Sequence, residues 1–192
     1  LKTLNYGTAS AEQTTLSFWI KSSLTGTFIG ELWDREHSKY NSQSFTVSSA
    51  DTWEKKSMTF AGNTSDAFDL TSTINGMEVS IWAAAGSDFS SSGSTTGGAW
   101  DADATKRAGG VSNAFITTLN ATIEITGYQF ELGNVATDFE QIPIDVQLHR
   151  CKRYFQRISR PTHGGNTVLT GVNSAVNNLA MVNLPVEMRA AP

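Results

Sequence analysis

Cysteine is almost missing: Cys151 is the only one in 192 residues, so no internal disulfide can staple the fold. Charge is sparse too. Lys, Arg, Asp and Glu make up 17% of the chain and sum to −4, which argues against a surface built overall to bind polyanions. No apolar run approaches the length of a membrane span, and the opening residues lack a signal-peptide pattern. Helix-period apolar runs of ordinary length are absent before about residue 143. In their place stand stretches of Ser, Thr, Asn and Gly, with ten Phe and five Trp. That mixture predicts short strands joined by polar turns around an aromatic core.

Alternation locates the strands. In "TTLSFWIKSSLTGTFIGELWD", residues 14–34, Leu16, Phe18 and Ile20 alternate with Ser17, Trp19 and Lys21, and "SSLTG" turns the chain back. Phe45 with Val47, Met58 with Phe60, and Met77 with Val79 and Ile81 repeat the period of two. In "ATIEITGYQFELG" the parity slips: Ile123 and Ile125 share one phase, Tyr128, Phe130 and Leu132 the other. A one-residue bulge at Gly127 keeps both sets on the core side, and glycine suits that position best. Eleven of the thirteen residues in 86–98, "GSDFSSSGSTTGG", are Gly, Ser or Thr, the composition of a surface loop. The predicted fold is all-β: an antiparallel sandwich of jelly-roll type over residues 1–142.

After Pro143 the texture changes. Ile144, Leu148, Cys151 and Phe155 fall at helical spacing, predicting two or three helical turns that give way to a strand through "RYFQRIS". Residues 143–157 thus read as a helix/strand joint. Residues 158–192 read as the start of a smaller β unit, with strands in "NTVLTGVN" and "NNLAMVNLPVEMR". That unit is too short for a comfortable core. "LKTLNYGTAS" and "MRAAP" both read as mid-protein text, so an excerpt from a longer chain is expected.

"HRCKRYFQR", residues 149–157, packs four cations and two aromatics around Cys151. Five of the chain's 14 basic residues (Arg150, Lys152, Arg153, Arg157 and Arg160) lie within 147–160, and the other nine face 18 carboxylates. A nucleic-acid surface needs a broad basic face on a recognisable module. A cation cluster confined to one short segment of an acidic chain fits an interdomain or intersubunit contact better. Its expected residues are Arg150, Lys152, Arg153, Tyr154, Phe155 and Arg157, with Cys151 packed inside.

Catalysis finds no support. His37, His149 and His163 lie far apart, with no second ligand at metal-type spacing. "DADAT", residues 101–105, alternates oxygen donors as calcium loops do, but Lys106 and Ser112 replace the turn glycine and closing Glu. At most an adventitious Ca²⁺ site is expected there, and no cofactor. Asp138 with Glu140 reads as solvated surface acid, and no nucleophile elbow or phosphate-cradling glycine loop occurs.

Trp19, Trp33 and Trp82 fall outside the core parity, and Trp53 reads as a plug at one end of the core. Aromatics on an open sheet face can stack on sugar rings. The candidate glycan-binding set is Trp33 and Trp82 beside the 86–98 loop, with Trp100 and Asp101. The competing reading is that loops or a partner subunit cover this second face.

The order of "YGTAS…LSFWIKSSLTGTFIGELWD", "SADTWEKKSMTFAG", "WAAAGSDF" and "GYQFELGNVATDFEQIP…LHRCKRYFQR" resembles a module of tail fibres and other virion appendage proteins of bacterial viruses. The resemblance covers about residues 4–160. It implies a carbohydrate-binding-like jelly roll followed by a smaller β unit, in a non-enzymatic virion protein that is commonly a homotrimer. Other virion tail proteins are the implied partners, with host-surface glycan as a possible ligand; nucleic acid and membrane insertion are not implied. The resemblance supplies no catalytic residues. "LHRCKRYFQR" carries more positive charge than the family's usual form at this point.

Overall fold

In the computed structural model, residues 2–69, 76–155, 171–173, 178–180 and 186 are described. The chain forms two units, Leu1–Phe139 and Glu140–Pro192.

The first unit carries six strands: β1 (Thr14–Ser22), β2 (Gly26–Asp34), β3 (Lys39–Val47), β4 (Glu54–Phe60), β5 (Met77–Trp82) and β6 (Ile123–Leu132). They form two antiparallel three-stranded sheets, ordered β4–β1–β6 and β3–β2–β5. All six lie where the alternation predicts them. One core cluster draws on both sheets: Leu16, Phe18, Ile20, Met58 and Phe60 from the first, Phe28, Leu32, Phe45 and Val47 from the second. Each such fully buried side chain contributes about 1.5–3 kcal/mol relative to exposure. The layers meet closely at Gly30, where a Cβ would lie 2.7 Å from Met58 Sδ. Glycine on β2 is thus the notch that receives the methionine of β4.

The parity slip in β6 is present. Ser17 pairs with Gln129 and Trp19 with Thr126, so Gly127 and Tyr128 together oppose Phe18. Gly127 takes φ +57°, the left-handed conformation that a bulge of this kind assigns to glycine. The bulge aligns Ile125 with Ile20 and Phe130 with Leu16, and both Ile123 and Phe130 pack against the core.

The 83–111 segment is not a plain loop. It holds one helical turn, α1 (Ser87–Ser90), and a 3₁₀ turn at Ala104–Lys106, and it packs Ala85, Phe89, Ala108 and Val111 against Ile29 and Trp82. A further single turn, α2, spans Ala114–Thr117. These turns escape a periodicity search because four residues span barely one repeat.

In the second unit, α3 spans Ile144–Lys152 and starts directly after Pro143, with Asp145 in its first turn and His149, Arg150 and Lys152 in its last. Those charges complement the helix dipole. No described residue of α3 is buried. Cys151 is exposed among the described residues, on the stripe it shares with Ile144 and Leu148. The Tyr154 and Phe155 amides both donate to the Cys151 carbonyl. The chain therefore tightens into a turn at Arg153–Tyr154 rather than entering a strand, and Gln156–Ser159 lie outside the described residues. β7 (Gly171–Asn173) and β8 (Asn178–Ala180) form a short antiparallel pair, within the stretches read as strands. Among the described residues, no helix is long and apolar enough to cross a membrane.

Candidate functional site

β2 has a second face, set by Ile29, Glu31 and Trp33. Sheet pairing places Trp82 opposite Ile29 and Tyr40 opposite Trp33, so one patch becomes aromatic on three strands. Glu31 stands at its centre, wholly buried. A buried carboxylate needs a partner, and Arg107 supplies it from the 83–111 segment. Arg107 Nε donates to Glu31 Oε1 at 2.7 Å and Nη2 donates to Oε2 at 3.1 Å, while Trp82 Nε1 donates to Oε2 at 2.9 Å. The guanidinium carbon lies 4.2 Å from the Trp33 ring centroid, 4.5 Å from Tyr40, and 5.2 Å from both Trp82 and Phe89. Arginine suits this position because its planar fork pairs with the carboxylate while its faces stack on aromatic rings.

The candidate glycan residues therefore converge, but as parts of a brace. Trp33 lies under two guanidiniums, that of Arg35 at 4.1 Å and that of Arg107, and Trp82 is tied to Glu31. Trp100 Nε1 donates to the Ala61 carbonyl at 2.7 Å, and its ring meets Tyr6 edge-on at 5.8 Å. Asp101 forms a backbone bridge with Tyr40. Its carboxylate pairs with Lys106 Nζ at 2.6 Å and accepts from the Asp103 amide at 3.0 Å. The Lys106 ammonium, above all, holds the Asp101 carboxyl below its usual range. In "DADAT" the Asp103 carboxylate accepts from the amide and hydroxyl of Thr105, so these oxygens serve local turns. Among the described residues, no group of three or more His, Cys, Asp or Glu is placed to hold a metal ion.

Sequence reasoning passed over Glu31, Tyr40, Phe89 and Arg107. A local signal existed for one of them: in "FIGELWD" a lone carboxylate shares the phase of Ile29 and Trp33.

Among the described residues of the first unit, the most exposed aromatics lie on or beside the other sheet. Trp19, at 41% exposure, Trp53, at 39%, and Phe139, at 48%, belong to the outer face of β4–β1–β6. Trp19 pairs across the ladder with Lys55, which puts Trp53 at the diagonal position about 7–8 Å away by sheet geometry. A Cβ on Gly127 would lie 3.3 Å from Trp19 Cδ1 and 3.9 Å from the Phe139 ring, so both rings approach the bare glycine closely. Lys21 Nζ sits 5.5 Å from the Trp53 centroid and 2.6 Å from Glu124 Oε1. Trp53 does not plug the core. Met58 and Phe60 face inward, so the odd positions Trp53 and Lys55 face out, and Glu54 ties the preceding turn by accepting from the Ser48 and Ser49 amides.

Of the basic segment, Tyr154 and Phe155 are 66% and 73% exposed, and Arg150, Lys152 and Arg153 stand at the end of α3. Arg157 lies outside the described residues, as do Arg160 and His163.

Comparison with protein-family models, with curated proteins and with solved structures found no match for this chain.

Proposed function

We propose that this chain is a non-catalytic, adhesive module of a bacteriophage virion appendage, a tail fibre or related tail protein, built on a jelly-roll sandwich. In this reading it works as a homotrimer beside other virion tail proteins and contributes to assembly and host-surface attachment. The motif order supports the family assignment. One structural observation supports the attachment role: Trp19, Trp53 and Phe139 present half-exposed rings on one sheet face, whereas Trp33 and Trp82 are committed to Arg107. Exposed aromatic clusters of this kind mark interaction surfaces. The test is adsorption of the purified, full-length protein to host cells, with its mass in solution measured in parallel. The reading expects a trimer whose adsorption falls at least tenfold in Trp19→Ala/Trp53→Ala. A stable monomer that adsorbs equally well after that change would overturn it.

The same face favours a second reading, a lectin-like module or depolymerase accessory domain that recognises host polysaccharide. Exposed rings next to side chains able to hydrogen-bond, here Lys55 and Thr126, are a usual means of holding a pyranose. Here the platform moves from Trp33 and Trp82 to Trp19 and Trp53. Glycan-array binding that survives Trp19→Ala would remove this reading.

A further inference from the structure

The outer face of β4–β1–β6 sets its rings and cations on alternate corners. Trp19 stands opposite Lys55 in the ladder. One step along, Lys21 stands beside Trp53, its Nζ 5.5 Å from the ring centroid. Same-face side chains are spaced about 7 Å apart along a strand and about 5 Å across the ladder. The four therefore mark a small rectangle, tryptophans on one diagonal and lysines on the other. Exposed Thr126 lies opposite Trp19, and exposed Ser57 follows Lys55. The chain at 133–139 bounds the far end: the Thr15 and Thr59 hydroxyls donate to the Gly133 and Asn134 carbonyls, and Ser17 is buried there.

The charges on this face do not cancel beside the rings. Lys21 is paired with Glu124 at 2.6 Å. Glu131, toward the bounded end, accepts from the Thr137 amide at 2.8 Å and from its hydroxyl at 2.7 Å. Lys55 is exposed and, among the described residues, forms no ion pair. One positive charge is thus left over between Trp19 and Trp53. A protein partner fits poorly here, because lysine is depleted from the centres of protein–protein interfaces. Rings interleaved with an ammonium group and edged by hydroxyls match a ligand that is amphipathic on the scale of one ring. A sugar with a carboxylate is such a ligand: apolar C–H groups on its faces, hydroxyls at its rim and a negative charge to complement Lys55.

We propose that the Trp19–Trp53 face selects acidic polysaccharide, with Lys55 pairing with the carboxylate of a uronic acid residue whose ring lies against the exposed indoles. This inference rests on the reading of the face as a glycan platform and adds the charge of the ligand. Lys55 sets the specificity, and the tryptophans supply affinity for acidic and neutral rings alike.

The test titrates the whole chain with trimers of galacturonate, glucuronate and guluronate, each against its methyl ester, while the indole N–H signals of Trp19 and Trp53 are followed by NMR. At least one acid should shift both signals and bind about threefold to fivefold more tightly than its ester at low salt, the worth of one partly solvated ion pair. Salt at about 1 M should remove most of that preference. Lys55→Met should bring acid and ester to equal affinity, and Lys55→Arg should keep the acid ahead. Both changes fall on an exposed side chain, so circular dichroism should match that of the unmodified chain. Equal affinity for acid and ester in the unmodified chain would overturn the proposal, and so would a preference that survives Lys55→Met. Self-association that is lost in Lys55→Met, without sugar binding, would overturn it too and give the face to a second copy. No shift with any of these oligosaccharides would also sink it; host-cell adsorption that is lost in Trp19→Ala/Trp53→Ala would then still uphold the attachment role, which keeps the two failures apart.

Discussion

Arg107 and Glu31 stand 76 positions apart in sequence and meet in a two-pronged ion pair beneath the 83–111 segment. The pair takes two charges out of water, so its net worth relative to apolar replacements is small, while the cost of breaking it on one side is large. Its effect is to register a long irregular segment on a regular sheet: guanidinium, carboxylate and four rings permit one seating.

Removing one partner tests this directly. Arg107→Met strands a buried carboxylate and should cost roughly 3–5 kcal/mol in urea unfolding at pH 7. The double variant Glu31→Leu/Arg107→Met should recover most of that loss. If the single variant loses less than about 1 kcal/mol, the pair does not seat the segment.

Gly127 is the next test. Its φ of +57° is costly for a residue with a Cβ, and that Cβ would press on Trp19. Gly127→Ala should lower stability by about 1–2 kcal/mol, and Gly127→Asn by less, because Asn tolerates the left-handed region better. Thermal melts followed by circular dichroism would rank the two; equal losses would point to the Trp19 contact instead.

The tryptophans should separate into two classes. Trp19→Ala and Trp53→Ala remove half-exposed rings and should each change stability by less than about 1 kcal/mol. Trp82→Ala deletes a wall of the brace and a donor to a buried carboxylate, and should cost roughly 3 kcal/mol or more. Denaturant midpoints of the three variants check the split.

Acid should loosen the molecule through its lowered carboxyls. Lys106 holds Asp101 down, Lys39 holds Asp66 down and Arg35 holds Glu78 down, in each case chiefly by a hydrogen-bonded ion pair. A carboxyl whose folded pKa lies below its unfolded one stabilises the fold fully above the unfolded value, and that contribution is lost as pH falls through the folded value. The unfolded references are 3.8 for Asp and 4.5 for Glu. Stability should therefore be flat above about pH 5 and decline below about 4.5. Asp101→Asn should flatten part of that decline in urea midpoints measured between pH 3 and 7. These pairs are largely solvated, so each share is small.

Strand positions were legible because burial on one face imposes a period of two, and even the parity slip at Gly127 could be read from Ile125 and Phe130. The brace could not. Its partners lie 76 positions apart, and an arginine in "ATKRAGG" has no local pattern that marks it as buried. Trp33 and Trp82 were read as off the core phase, and a cover of loops over that face was the competing reading; what stayed hidden was which residues form the small cluster there. Trp53 stands beside a turn, where bulk alone suggests burial, but the phase set by Met58 and Phe60 turns it outward.

The notch between Gly30 and Met58 gives the molecule a chemical clock. Met58 is 5% exposed and touches the opposite sheet, so a peroxide reaches its sulfur only when the layers part; half-buried Met77 on an outer strand has no such protection. The ratio of sulfoxide formed at the two methionines thus reports how often the halves of the core breathe apart. Oxidation at the inner one would lodge an oxygen where glycine leaves room only for a thioether, turning a reversible opening into lasting damage.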